Sequence, residues 1–584
     1  MPTLDWIGKK KVINHHLEVP FRVLEKKYTY SADNKASASQ NKILHGDNLE
    51  ALKALLPEYE GKIDCIYIDP PYNTGNEGWV YNDNVNDPRI KKWLGEVVGK
   101  ESEDFTRHDK WLCMMYPRLK LLQKLLSEKG AIFISIDDNE EANLKLICDE
   151  IFGSGNFVAN VSWQRTYSIR NDAKSFMNEV EHIIVYSKNP NWIPNRLARD
   201  SETDKSYKNP DNDKEKWASV SALAPGAATH QGMVYAIQNP FTGEMMYPVN
   251  GRCWTFGQNQ MLEIMQEWTK YELKDINDEN KRAEICGVSE NEIKKDIKAI
   301  VIAKEFNEAN KDAIKVLERG QWPKLFFTQG GKGTLRRKTY LSAVGGNPPS
   351  NLFQYKDTGH TDEAKKEILS IFEGNAIFDT PKPTRLIERI LQIATDKDSI
   401  ILDSFAGSGT TAHAVLNMNR KDGGNRSFIL IEMMDYAESI TAERVKRVIK
   451  GYSDVEGTGG DFSFYELGEP LLINNLLNEN IETPVIREYI YFTETGKKMV
   501  VSTGSTTAST QSENQYFLGC NYGAAYWFYY EKDHATTLDI QFLQTIKNKY
   551  EQYIIYADIC LLPKELLQKN NITFKKIPRD IKRF

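Results

Sequence analysis

The sequence predicts an α/β fold, a doubly wound sheet assembled from two separated stretches of chain, and three observations carry that expectation. Apolar runs of strand length alternate with helical segments from 41 to 190. The alternation stops, then resumes from 351 to 455. The runs themselves, such as IDCIYI at 63–68 and ILIE at 429–432, are apolar on both faces, as strands covered on both sides must be.

At 584 residues the chain exceeds what one core ordinarily supports, so several domains are expected. Its 40% hydrophobic and 27% charged residues are a globular composition. No apolar run approaches the roughly 18 residues of a membrane span. Met1 to Val12 carries lysines with no apolar stretch behind them, so no signal peptide is read and a cytoplasmic location without membrane contact is expected. The seven cysteines are scattered, with no CxxC pair, which argues against a disulfide framework or a structural zinc site.

In chain order, residues 1–40 end in the polar run SADNKASASQNK and read as an N-terminal arm. The first half of the sheet domain, 41–190, follows. LHGDNLEALKAL opens a helix, 63–68 is a strand, WLCMMYPRLKLLQKLL (111–126) is a helix, and AIFISIDDNE and EHIIVYSKN are further strands. From 191 to 350 the text turns to YKNPDNDKEKW and QNPFTGEMMYP, with a charged helical stretch over 258–319, and this is read as an inserted domain. The second half, 351–455, holds TPKPTRLIERILQIA, DSIILDSFAGSGTTAHAVL and RSFILIEMMDYAESIT. The glycine-rich EGTGGDF then opens a C-terminal α+β domain, 456–584, rich in Tyr and Phe.

Three stretches bear chemistry. In DPPYNTG, Asp69 stands at the carboxyl end of a strand, the edge where open α/β sheets bind ligands, and Pro70 and Pro71 fix the backbone and remove two donors. Tyr72 adds an aromatic face. In SIILDSFAGSGTTAHAVL, Gly407, Gly409 and Ala412 satisfy GxGxxA, and Glu432 ends the next strand. Alone, that pattern fits a nicotinamide dinucleotide, any nucleoside held by a carboxylate at its ribose, or a plain tight turn. In WPKLFFTQGGKGTLRRKT (322–339), five Lys or Arg and no acid are interleaved with Trp322, Phe326 and Phe327. Such a segment suits phosphates and stacked bases, or is a solvated basic hairpin. The net charge of −6 does not itself point to nucleic acid.

A DPPY lip and a FAGSGT turn in one sheet resemble the amino-group DNA methyltransferases that use S-adenosyl-L-methionine. The order GDN, DPPY, insert, PKP, FAGSGT is that of the family's β group. The length, WVYNDN, HDKWLCMMYPRLKLLQKLL, YKNPDNDKEKW and PPSNLFQYKDTGHTDEAKKEI resemble the modification (Mod) subunit of type III restriction-modification systems. The resemblance implies a Rossmann-like methyltransferase sheet with a target-recognition insert, and methylation of N6 of a flipped-out adenine. Asp at the first tetrapeptide position leans to adenine, where Ser leans to N4 of cytosine.

By the same resemblance, Asp69 and the Pro70 carbonyl accept the amino hydrogens, Pro71 stiffens the lip and Tyr72 stacks on the base. Phe405, Ala406, Gly407, Ser408, Gly409 and Thr410 cradle the methionine end of the cofactor. Asp403 holds that loop or the methionine ammonium, and Glu432 accepts from the ribose. Asp47 and Asn48 meet the cofactor's adenine side, and Phe378, Thr380 and Lys382 close over it. Asp47 reads equally as a helix N-cap, and Lys382 as a solvated lysine between prolines. Arg336, Arg337 and Lys338 grip DNA, by phosphate or by base. S-adenosyl-L-methionine is the expected cofactor, with no metal required. The expected partners are double-stranded DNA, a second copy joined through the C-terminal domain, and a separate restriction subunit, since no GxxxxGK[ST] loop is present. A solitary methyltransferase is the alternative. The basic end KKIPRDIKRF is a further phosphate candidate. A dinucleotide oxidoreductase leaves DPPY unexplained, and C5-cytosine methylation lacks its Pro-Cys pair.

Overall fold

The computed structural model describes residues 3–33, 39–74, 92, 96, 107–167, 176–199, 204–473, 476–497, 499 and 514–579. Gly75 of DPPYNTG, WVYNDN and the last five residues of KKIPRDIKRF lie outside the described residues. The chain forms two compact units, 1–195 with 349–584, and 196–348.

The first unit is organised by a ten-stranded sheet. Its strands are β1 (Arg22–Ser31), β2 (Lys42–His45), β3 (Ile63–Ile68), β4 (Leu126–Ile136), β5 (Phe157–Gln164), β6 (Val180–Ser187), β7 (Leu352–Phe353), β8 (Ile400–Asp403), β9 (Ser427–Glu432) and β10 (Asp461–Pro470). They lie in the order β1-β10-β2-β9-β8-β3-β4-β6-β5-β7. From β10 to β4 every pairing is parallel, and β6 then runs antiparallel to β4. The two halves of the sheet domain interleave, because β8 pairs with β3 and β9 with β2, so 400–432 lies between strands from the beginning of the chain.

The burial of β3 explains its composition. All six residues are buried. Ile66 and Ile68 join a core with Leu49, Leu52, Trp111, Met115 and Ile147 from the helices α1 (Asn48–Tyr59), α2 (Arg107–Leu125) and α3 (Glu141–Phe152). Cys65 and Tyr67 point the other way along the pleat. The helix α4 (Thr384–Ala394) packs against β3 and β4, and α5 (Thr410–Asp422) and α6 (Glu443–Lys450) follow in series beside it. A strand with helices on both faces has no polar side to show.

Two stretches differ from the sequence reading. Residues 22–31, read as part of an arm, form the edge strand β1, antiparallel to β10. Its text, RVLEKKYTYS, is half exposed, so it lacks the apolar run that marks the central strands. Tyr28 stacks on Phe464 at 5.3 Å, and the Thr29 and Ser463 hydroxyls are hydrogen-bonded at 2.8 Å. The glycines at 456–462 do not end the sheet, since 461–470 pairs with β2 as well. Beyond it, strands 517–521, 524–528, 552–557 and 572–576 make a small sheet whose last three strands are parallel, with a core around Trp527 and Ile555.

The second unit, expected as 191–350, contains helices at Gln258–Met265, Glu279–Cys286 and Phe306–Arg319 with strands at Tyr271–Lys274 and Ala299–Ile302 between them. The charged stretch is therefore not continuous helix. Trp217, Trp254, Trp268, Phe326 and Phe327 form its core. Among the described residues, no helix is long and apolar enough to cross a membrane.

Candidate active site

The parallel order puts the carboxyl ends of β3, β8 and β9 side by side, and each ends in an acid or continues into one: Asp69, Asp403 and Glu432. All three are buried. The lip after β3 is held from several sides. Trp111 Nε1 donates to the Pro71 carbonyl at 2.7 Å. The Tyr72 hydroxyl donates to Glu181 Oε2 at 3.0 Å. Asn73 adopts φ 59°, a left-handed conformation that Asn tolerates, and its amide donates to Glu140 and to the Arg107 carbonyl.

Asp69 receives Lys382. The ammonium donates to Oδ1 at 2.8 Å and to Oδ2 at 2.7 Å, stands 3.6 Å from Glu181, and lies 4.9 Å from the Tyr72 ring centre. Lys382 was expected over the cofactor or in solvent. It is buried rather than solvated, because the PKP turn at the start of α4 points its side chain to the lip, while its carbonyl accepts from Thr410 Oγ1 at 3.3 Å. Burial pushes the Asp69 carboxyl up and Lys382 opposes that shift. Burial also works against the ammonium, but Asp69 and Glu181 outweigh it and hold its pKa above the usual lysine value.

The FAGSGT turn is braced from behind. Gly407 and Gly409 have φ 52° and 81°. The Gly407 amide donates to Glu432 Oε2 at 2.8 Å, and its carbonyl accepts from Thr441 Oγ1 at 2.6 Å. The Ala406 amide donates to the Ile431 carbonyl at 3.1 Å. The fully buried Arg444 donates to Ser408 Oγ at 2.9 Å and Thr410 Oγ1 at 2.8 Å, and also reaches Glu367 and Thr384, so those two hydroxyls belong to the support of the loop. Asp403 accepts from the Phe405 amide at 3.0 Å and from Thr411, and thus holds the loop.

Asn48, Asp69, Arg118, Ser404, Phe405 and Glu432 line one crevice. Glu432 also accepts from the Met434 amide at 2.9 Å. Burial pushes the carboxyls of Asp403 and Glu432 up to about 7 each, against the hydrogen bonds they accept. Arg118, buried in α2, donates to Asn48 Oδ1 and approaches Asp47 at 3.4 Å. Asp47 caps α1, accepting from Leu49 and Glu50 amides at 2.9 and 3.1 Å. Ser404 Oγ is buried without a hydrogen-bond partner among the described residues, as is Thr380 Oγ1. Phe378 meets Tyr436 edge-on at 5.8 Å.

Sequence reading missed Glu181, Arg118 and Arg444. The first two left a trace, since each is a charge inside an otherwise apolar strand or helix, EHIIVYS and WLCMMYPRLKLL. Arg444 sits in the charged text ERVKRVIK and left none.

The basic segment of the second unit needs correction. Lys338 is buried and paired with Asp211 and, at 2.6 Å, with Asp213, so it is a core ion pair and not a hand for phosphate. Phe326 and Phe327 are buried in the core, and Trp322 donates to the Leu317 carbonyl at 3.0 Å, so these rings are packing residues rather than an open stack. Arg336 donates to Ser219 at 2.7 and 2.9 Å, and Arg337 lies 5.9 Å from the Phe256 ring centre.

The chain matches the DNA methylase family N6_N4_Mtase over residues 63–443. It is 35% identical over 445 residues to the type III restriction-modification enzyme StyLTI Mod subunit of Salmonella typhimurium, covering 73% of this chain and 57% of that protein. It is 32% identical over 461 residues to the EcoPI Mod subunit of Escherichia phage P1, covering 74% and 63%. With the EcoP15I Mod subunit of Escherichia coli it shares 28% over 475 residues, covering 78% and 67%. The chain thus spans less than two thirds of the length of the StyLTI and EcoPI proteins.

Proposed function

The chain belongs to the DNA methylase family N6_N4_Mtase, and on that premise we propose that it transfers a methyl group from S-adenosyl-L-methionine to N6 of a flipped-out adenine at a specific DNA site. Its place is that of the modification subunit of a type III restriction-modification system, working in the cytoplasm on double-stranded DNA. The observation that carries this reading is that Asp69, Phe405 and Glu432 line the same crevice.

The residues around the crevice suit that cofactor. Glu432 offers carboxylate oxygens to ribose hydroxyls, the Ser404 hydroxyl is buried without a partner among the described residues, and the loop glycines leave room for close backbone approach. When bound, the cofactor supplies an electrophilic methyl group. The chain's own residues do the rest. An adenine amino group is a poor nucleophile because its lone pair is delocalised into the ring. Asp69 and the Pro70 carbonyl, each accepting one N6 hydrogen, draw that nitrogen toward tetrahedral geometry and stand ready for the positive charge it gains. Extruding the base costs a few kcal/mol. Stacking on Tyr72 returns roughly 1 to 3 kcal/mol of it, with the ring held by its bond to Glu181.

Arg336 and Arg337, with the exposed Lys324 and Lys332 of the same segment, are the proposed DNA contacts of the second unit. A second copy of the chain and a separate ATP-driven restriction subunit complete the assembly. Methylation-sensitive sequencing of host DNA, with and without the gene, tests the whole reading. N6-methyladenine is expected at one motif, and Asp69→Ala should abolish it while cofactor binding, followed by calorimetry, persists. Methylcytosine at N4 would overturn the base assignment, and unmodified DNA the function.

A further inference from the structure

The carboxylate on which the methyltransferase reading depends already holds a donor. Lys382 Nζ reaches both oxygens of Asp69, at 2.8 and 2.7 Å, and both side chains are buried. The target amino group needs one Asp69 oxygen beside the Pro70 carbonyl, and each carboxylate oxygen can accept more than one bond, so the arriving base competes with the ammonium for Asp69. As the target nitrogen gains positive charge, that competition favours departure of the lysine. A second carboxylate is at hand. Glu181 Oε2 is 3.6 Å from the ammonium, and its position is fixed by the Tyr72 hydroxyl at 3.0 Å and by Arg165, which binds Oε1 at 2.7 Å.

We propose that Lys382 is a placeholder for the target amino group, keeping Asp69 ionised and aimed while no base is present and passing to Glu181 when the base enters. The inference rests on the methyltransferase reading and adds to it a positioning residue and a hand-over partner. Electrostatics favours both stages. A carboxylate as buried as Asp69, left alone, would take up a proton and lose its value as an acceptor. During transfer the target nitrogen gains positive charge, and an ammonium still seated on Asp69 would oppose it. Glu181 draws that charge away yet keeps it within the same buried cluster. The bland alternative is that the pair is only a clamp tying the PKP turn to the lip.

Single-turnover methyl transfer by the full-length protein on duplex DNA, followed from about pH 5.5 to about pH 8.5, separates the two. With cofactor saturating, the wild type sets the reference pH profile. Lys382→Met should fall increasingly below that profile as pH drops, by up to about tenfold per pH unit until Asp69 ionises, whereas Lys382→Arg, which keeps the cation, should track the wild type. A folded Lys382→Met protein that is slower by one factor at every pH, or inactive throughout, overturns the placeholder in favour of the clamp. Should Lys382→Met not fold, Glu181→Gln decides. The proposal expects its transfer rate to fall about tenfold or more, with cofactor binding unchanged, because the lysine has lost its second seat. An unaltered rate overturns the hand-over. A wild type that transfers no methyl to any DNA sinks the functional reading instead, a result distinct from an active wild type with pH-insensitive variants.

Discussion

Asp403 and Glu432 carry carboxyls pushed up to about 7 by burial, and this contributes to how the chain answers to pH. Their folded pKa lies above the unfolded value of about 4, so the folded state holds more protons between those limits. The stability they contribute is present below about pH 4 and is lost as pH rises through about 7. The ligand-free melting temperature should therefore carry a component that falls from about pH 5 to about pH 8, and Glu432→Gln should remove part of it in calorimetric scans. If Glu432 binds ribose hydroxyls as an ionised acceptor, cofactor affinity has the opposite slope, several-fold tighter at about pH 8 than at about pH 6, with proton release on binding. At this scale the motif residues were legible because DPPY and FAGSGT are contiguous. Their partners were not. Glu181 lies 109 positions from Tyr72 and Arg444 lies 36 from Ser408, and only the packed strands and helices bring them together. Lys338 was misread for the same reason, since its neutralising Asp211 is 127 positions earlier.

The glycine loop between β8 and α5 has a constrained geometry. Gly409 stands at φ 81°, and a Cβ there would meet the Thr441 carbonyl at 3.0 Å. Gly409→Ala should cost about 1 to 3 kcal/mol in denaturant unfolding, because both the left-handed backbone and the close approach are lost. Cofactor affinity should fall with it. The central strands and their helices were legible as alternating periods, which follows from their being covered on both faces. The edge strand β1 was not, because an edge alternates polar and apolar residues weakly and its charges resemble those of a tail.

For the whole molecule, residues 196–348 form a compact unit of their own, where the interrupted α/β pattern leads the sequence to expect an insert over 191–350. The chain leaves and returns to that unit through a pair of mutual hydrogen bonds between Leu197 and Asn347, each 2.8 Å. Replacing 198–346 with a short Gly-Ser joint should therefore leave a folded first unit that still binds cofactor but no longer methylates a specific DNA site, which circular dichroism, calorimetry and methylation assays would read. The C-terminal boundary was illegible because glycines mark a turn without saying which sheet the next strand joins.

The pairing of β1 with β10 also has a consequence in time. Residues 22–31 leave the ribosome well before 461–470, their only partner strand among the described residues. At about 5 to 20 residues per second, the wait is on the order of twenty seconds to a minute and a half. For that interval the nascent chain carries an unsatisfied edge, so slowing or stalling translation within the insert should expose it to aggregation or to a chaperone's grip.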